Sequence, residues 1–122
     1  MILIVDDSAT RRLALRQGLS RLGHGVCCHT RLLDALEQVS PEEVELVLLA
    51  LVTDEGNGFD GGVRLLEHGF HPVLLVADVP KLTDDIWGKA QGLAGVVSWP
   101  LPDVSLRSIV DGLLECEEGD SQ

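Results

Sequence analysis

The chain has 122 residues, 45% of them hydrophobic and 24% charged, with a formal net charge of −11; this suits one globular domain and is short of two. The acidic excess excludes unaided attraction to nucleic acid or to an anionic membrane surface, where phosphate charge dominates binding. No apolar run is long enough to span a bilayer and the start lacks a basic leader, so the expected location is the cytoplasm.

Aromatic residues are scarce and Tyr is absent, so the core must come from Leu, Val, Ile and Ala. Met1 to Val5 is apolar on both faces, as a buried parallel strand is, and Asp6-Asp7-Ser8 breaks it. Ser8 is placed to cap a helix over 9–22, with Leu15, Leu19 and Leu22 on one side and Gly23 and Gly25 ending it. Val26 to His29 reads as a short strand, 31–39 as a second helix, and Val44 to Val52 as a central strand. A Gly-rich loop over 53–62 leads to a short helix near 63–67, then a strand over 72–77 and a helix over 83–91. Ala94 to Ser98 is a fifth strand closed by Trp99-Pro100, and Asp103 opens a last helix carrying Leu106, Ile109, Val110, Leu113 and Leu114. The domain is expected over 1–116, with 117–122 an acidic, frayed tail.

Five strands alternating with five helices imply an α/β fold: a parallel sheet, doubly wound through right-handed crossovers. Ligands in such folds gather at the carboxyl ends of the strands. Here those ends are Asp6-Asp7, Ala50 to Thr53, Ala77-Asp78 and Ser98 to Pro100.

Ile2-Leu-Ile-Val-Asp-Asp-Ser8, Gly92 and Gly95 before the fifth strand, and Pro100 after it, joined to the alternation, resemble the receiver family of two-component signalling. The resemblance implies a flavodoxin-like (βα)5 sandwich with a five-stranded parallel sheet. It also implies a phosphoacceptor carboxylate on the third strand, an acidic pair holding Mg²⁺, and a Lys from the fifth strand on the phosphoryl oxygens. A hydroxyl residue ends the fourth strand in that family, and an aromatic switch residue often lies on the fifth. This chain departs at each position: Ala50 stands at the acceptor, Ala77 at the hydroxyl, Val96 at the aromatic switch and Trp99 at the Lys. A methyl group is no nucleophile. The expectation is a degenerate receiver with no turnover, acting in signal transduction through protein contacts independent of phosphorylation. Asp6 and Asp7 become a relict acidic pocket short of counter-charge, holding Mg²⁺ weakly if at all and needing no other cofactor. Trp99 is expected to lie partly over the vacated space.

Two rival readings stand beside this one. Asp54 would be the acceptor of an active receiver if the third strand shifted by four residues. Gly56-Asn-Gly-Phe-Asp-Gly61 fits G-x-G-x-x-G and would make a small nucleotide or second-messenger site, although Asp54 and Glu55 would repel a pyrophosphate. The family's output surface, carried over, comprises Ile86, Trp87, Lys89, Trp99, Leu101 and Arg107, with Trp87 as the anchor. The partner expected there is a signalling protein, further domains of a longer regulator, or a second copy of the chain. Arg11, Arg12 and Arg16 read as a solvated helix face or a patch for an acidic partner. Cys27, Cys28 and Cys116 read as small buried thiols, and the four His as surface or capping residues without metal spacing.

Overall fold

Three runs that are apolar at every position, β1 (Ile2–Val5), β3 (Leu46–Ala50) and β6 (Val73–Ala77), are buried along their whole length. Strands covered on both faces must read this way, because neither side of the pleat meets water. The computed structural model describes residues 1–54 and 56–120, those from 115 onward by their main chain. Its remaining elements are α1 (Ala9–Arg21), β2 (Val26–His29), α2 (Leu32–Gln38), a 3₁₀ turn (Pro41–Glu43), the short strands β4 (Val52–Thr53) and β5 (Gly56–Asn57), α3 (Gly58–Glu67), α4 (Leu82–Ala90), β7 (Gly95–Ser98) and α5 (Asp103–Asp120).

The main sheet has the order β2-β1-β3-β6-β7 and is parallel throughout. Alternate residues feed two cores. Leu3, Val5, Val47, Leu49, Val73 and Leu75 meet Ala35 of α2, Leu65 of α3 and the nearby Phe70 and Leu93. Ile2, Ile4, Leu46, Leu48, Leu74 and Val76 meet Leu15 and Leu19 of α1 and Leu106 and Val110 of α5. Each fully buried Leu contributes about 1.5–3 kcal/mol through removal of its side chain from water. The winding reverses between β1 and β3, so a crevice opens beyond their carboxyl ends, flanked by Asp6-Asp7 and Ala50.

Several local expectations change. The central strand stops at Ala50, and the segment read as an open Gly-rich loop is an antiparallel hairpin pairing Val52 with Asn57 and Thr53 with Gly56. Helix α3 begins at Gly58, well before residue 63, because the Asn57 side chain caps it by accepting from the Asp60 N–H at 3.1 Å. Cys27 and Cys28 are half-buried on opposite faces of the edge strand β2, not fully buried; partial burial pushes the Cys28 thiol up. Cys116 lies outside the described side chains. Helix α5 carries on to Asp120 through most of the stretch set apart as a frayed tail, whose last two residues lie outside the described ones.

Candidate functional site

Asp6 follows β1 directly and is the one charged residue among the described buried side chains, 1% exposed. A carboxylate so placed needs hydrogen bonds and opposite charge. The turn into α1 supplies the first: the Ser8 N–H donates to Asp6 Oδ1 at 2.8 Å, and Ser8 Oγ accepts from the Arg11 N–H at 3.3 Å, capping the helix. That cap puts Arg11 in the first turn, where its side chain folds back over the strand end. Arg11 Nε donates to Asp6 Oδ2 at 2.8 Å and Nη2 to Asp6 Oδ1 at 3.1 Å, a fork on both carboxylate oxygens. Its Nη1 donates to both oxygens of Asp78, at 3.2 and 3.1 Å. Nη2 also lies 3.9 Å from Asp7 Oδ1. Arg12 Nη1 donates to the Asp6 main-chain oxygen at 2.7 Å.

The acidic pair is therefore not short of counter-charge. Arg11 and Arg12, read as part of a solvated helix face, are half-buried and turned toward it, while Arg16 is exposed. Bonding to Asp6, with the charges of Asp6 and Asp78, holds the Arg11 guanidinium in its charged form more firmly than usual, against the opposing effect of burial. A cation in a first helical turn opposes the helix dipole; three carboxylates around Arg11 offset that.

Trp99 follows β7 directly. Its indole is half-buried against the cluster shared with α1 and α5, and it does not line the cavity beside Ala50. The Trp99 main-chain N–H donates to the Ala77 oxygen at 2.8 Å, holding the chain just past β7 to the end of β6. The group found on the acidic pair is Arg11.

Ala50, 2% exposed, is the last residue of β3 and is paired with Val76, so Ala77 stands one step beyond it on the neighbouring strand. Val96 is half-buried in β7, its N–H donating to Asp85 Oδ1 at 2.9 Å. Asp54 is exposed in the turn between β4 and β5, and its N–H donates to Asp7 Oδ2 at 2.9 Å. A cavity of about 360 Å³ lies between α2, β3 and α3, lined by Leu32, Leu49, Ala50, Asn57, Gly61 and Arg64 among others. Its Gly-rich rim has a packing explanation. A Cβ on Gly58 would stand 2.6 Å from the Ala50 oxygen, and one on Gly61 would touch Leu32 and Leu49.

These residues do not fit Mg²⁺, which demands near-octahedral oxygen ligands. Both Asp6 oxygens are engaged by Arg11, one Asp7 oxygen by the Asp54 N–H, and Ala50 offers none. Among the described residues no group of three His, Cys, Asp or Glu is placed to hold a metal ion.

The residues expected to form an output surface are divided. Ile86 and Trp87 of α4 are 62% and 59% exposed. Lys89 pairs with Asp85 at 3.1 Å, Arg107 is exposed, and Trp99 and Leu101 pack half-buried against the core. Val79, just before α4, and Leu82, its first residue, are also exposed.

No protein-family model matches the chain. Protein PilH of Pseudomonas aeruginosa is 31% identical over 116 residues, which span 93% of this chain and 96% of that protein. Chemotaxis protein CheY4 of Vibrio cholerae has the same fold, with a TM-score of 0.82 at 21% identity over 93% of this chain and 97% of that one. So does the receiver domain of NtrX from Brucella abortus, with a TM-score of 0.84 at 20% identity over 94% and 98%. The doubly wound sheet, the acidic pair at its switch point and this relationship have one meaning: the chain belongs to the response-regulator receiver family of two-component signalling. Among the described residues no helix is long and apolar enough to cross a membrane.

Proposed function

We propose that this chain is a receiver domain that signals through protein contacts without accepting a phosphoryl group. The observation that carries the reading is Ala50, a buried methyl group at the end of β3, next to the strand bearing the acidic pair. In-line attack on phosphorus needs a nucleophile and a means of neutralising crowded negative charge. Ala50 lacks the first. Trp99 and Ala77, at the family's Lys and hydroxyl positions, lack the amine and hydroxyl that would bind the product.

The output surface follows from exposure. Trp87 and Ile86 on α4, continued by Leu82 and Val79, form an apolar strip of the kind that anchors protein partners. The partner is a signalling protein, another domain of a longer regulator or a second copy of the chain, and the setting is the cytoplasm. The domain is taken as 1–116, with the main chain of α5 continuing past it to Asp120. One observation favours a second reading, in which Asp54 accepts the phosphoryl group: its main chain reaches the acidic pair through Asp7.

Intact-mass measurement after incubation with acetyl phosphate and Mg²⁺ separates the two readings. The expected result is no phosphoryl adduct. An adduct that disappears in an Asp54→Ala variant would make Asp54 the acceptor and overturn the proposal.

A further inference from the structure

We infer that Arg11 is a built-in counter-ion that takes the place of a divalent cation and ties the β1–α1 turn to the loop before α4. The inference deepens the proposed reading of the same site and rests on it only in that Ala50 contributes no third carboxylate. The guanidinium satisfies both oxygens of the buried Asp6 and, from its other end, both oxygens of Asp78. A planar fork suits two carboxylates in this way and an ammonium would not. Asp78 directly follows β6, and only Val79, Pro80 and Lys81 separate it from α4. The link therefore runs from a buried acid at the sheet's switch point to the root of the helix that exposes Ile86 and Trp87. A metal ion could enter only by displacing Arg11, whose charge would repel it at the same time.

This is a structural tie, not a switch awaiting a ligand: it holds the loop before α4 in one position whether or not divalent cations are present. An ordinary cation site would leave the pocket sensitive to the surrounding ion.

Isothermal titration with Mn²⁺ of four versions of the 122-residue chain tests the inference: the wild type, Ala50→Asp, Arg11→Gln and the double variant. The expected result is no binding by the wild type and weak binding by Ala50→Asp. The double variant should bind roughly tenfold more tightly than Ala50→Asp, or better, because two freed acids, joined by a third carboxylate, then lose the guanidinium that occupied them. Arg12, which bonds the Asp6 main-chain oxygen and not its carboxylate, is the cation left nearby. Equal affinity of Ala50→Asp and the double variant would overturn the inference, as would Mn²⁺ binding by the wild type. Should Arg11→Gln fail to fold, the wild type answers alone. Its Asp6 and Asp7 carboxyl ¹³C resonances should not move on adding millimolar Mg²⁺, and a saturable shift would overturn the inference. A phosphoryl adduct on Asp54 would refute the proposed function but leave these titrations to decide the role of Arg11.

Discussion

Gly58 shows how closely single residues fit here. Its N–H donates to the Leu51 oxygen at 2.5 Å, and an added Cβ would meet the Ala50 oxygen at 2.6 Å and Leu51 Cα at 2.9 Å. Both obstacles are main chain at the end of the central strand, so neither can swing aside. Gly58→Ala should cost about 1–3 kcal/mol, as overpacking does, measured by urea unfolding; an unchanged midpoint would mean that the hairpin moves freely. The motif G-x-G-x-x-G was legible in the sequence, but its meaning was not, because spacing does not say what a glycine lies against. Arg11 was hidden for a different reason. Helical periodicity assigns it to a polar face, and only the Ser8 cap together with the burial of Asp6 turns it inward. The available signal was two adjacent acids at a buried strand end with no Lys at position 99, which require a cation from somewhere near.

At the scale of elements, the strands and the five main helices could be read because apolar runs and i, i+4 spacing report burial directly. The β4–β5 hairpin could not, since two-residue strands carry no period. A contact between elements also escaped: Asp85 of α4 accepts the Val96 N–H of β7 at 2.9 Å and pairs with Lys89. Gly95 permits it, with φ at +137° and no Cβ to strike Asp85 Oδ1, which lies 2.5 Å from where one would be. The Val96 N–H first, and Lys89 second, hold the Asp85 carboxyl below its usual range. A lowered folded value means that this stabilisation is complete above the ordinary Asp pKa, near 4, and is lost as pH falls through the folded value. Thermal melts of wild type and Asp85→Ala should therefore differ at neutral pH and converge in acid. A gap that persisted undiminished at the lowest pH at which both fold would remove ionisation of Asp85 from the account.

For the whole molecule, the two cores lie apart from the exposed apolar residues of α4 on which the proposed recognition rests. Trp87 is exposed enough that Trp87→Ala should change unfolding free energy by no more than about 0.5 kcal/mol, as surface substitutions do. The same change should weaken association through α4 by about 2 kcal/mol if Trp87 is the anchor. Sedimentation velocity on the chain alone and in mixtures with candidate signalling partners provides the check. Association unaltered by Trp87→Ala in every mixture would take the α4 strip out of the mechanism. That strip was only half legible in the sequence. Trp87 and Ile86 were singled out, but Trp99 and Leu101 are apolar in the same way and pack inward.

The salt bridges of α1 have a consequence for how partners arrive. Arg11 closes on Asp6 and Asp78, and Arg21 closes on Asp103 of α5 at 2.9 Å. Two of the five cations in the Arg-rich first 40 residues thus face carboxylates of their own chain, and the apparent positive pole of the domain is weaker than its sequence suggests. At a distance the molecule is an anion. Cationic surfaces are drawn in ahead of any apolar contact and polyanions are turned away, so encounter with a basic partner should slow as ionic strength rises, even where the final complex is held by α4.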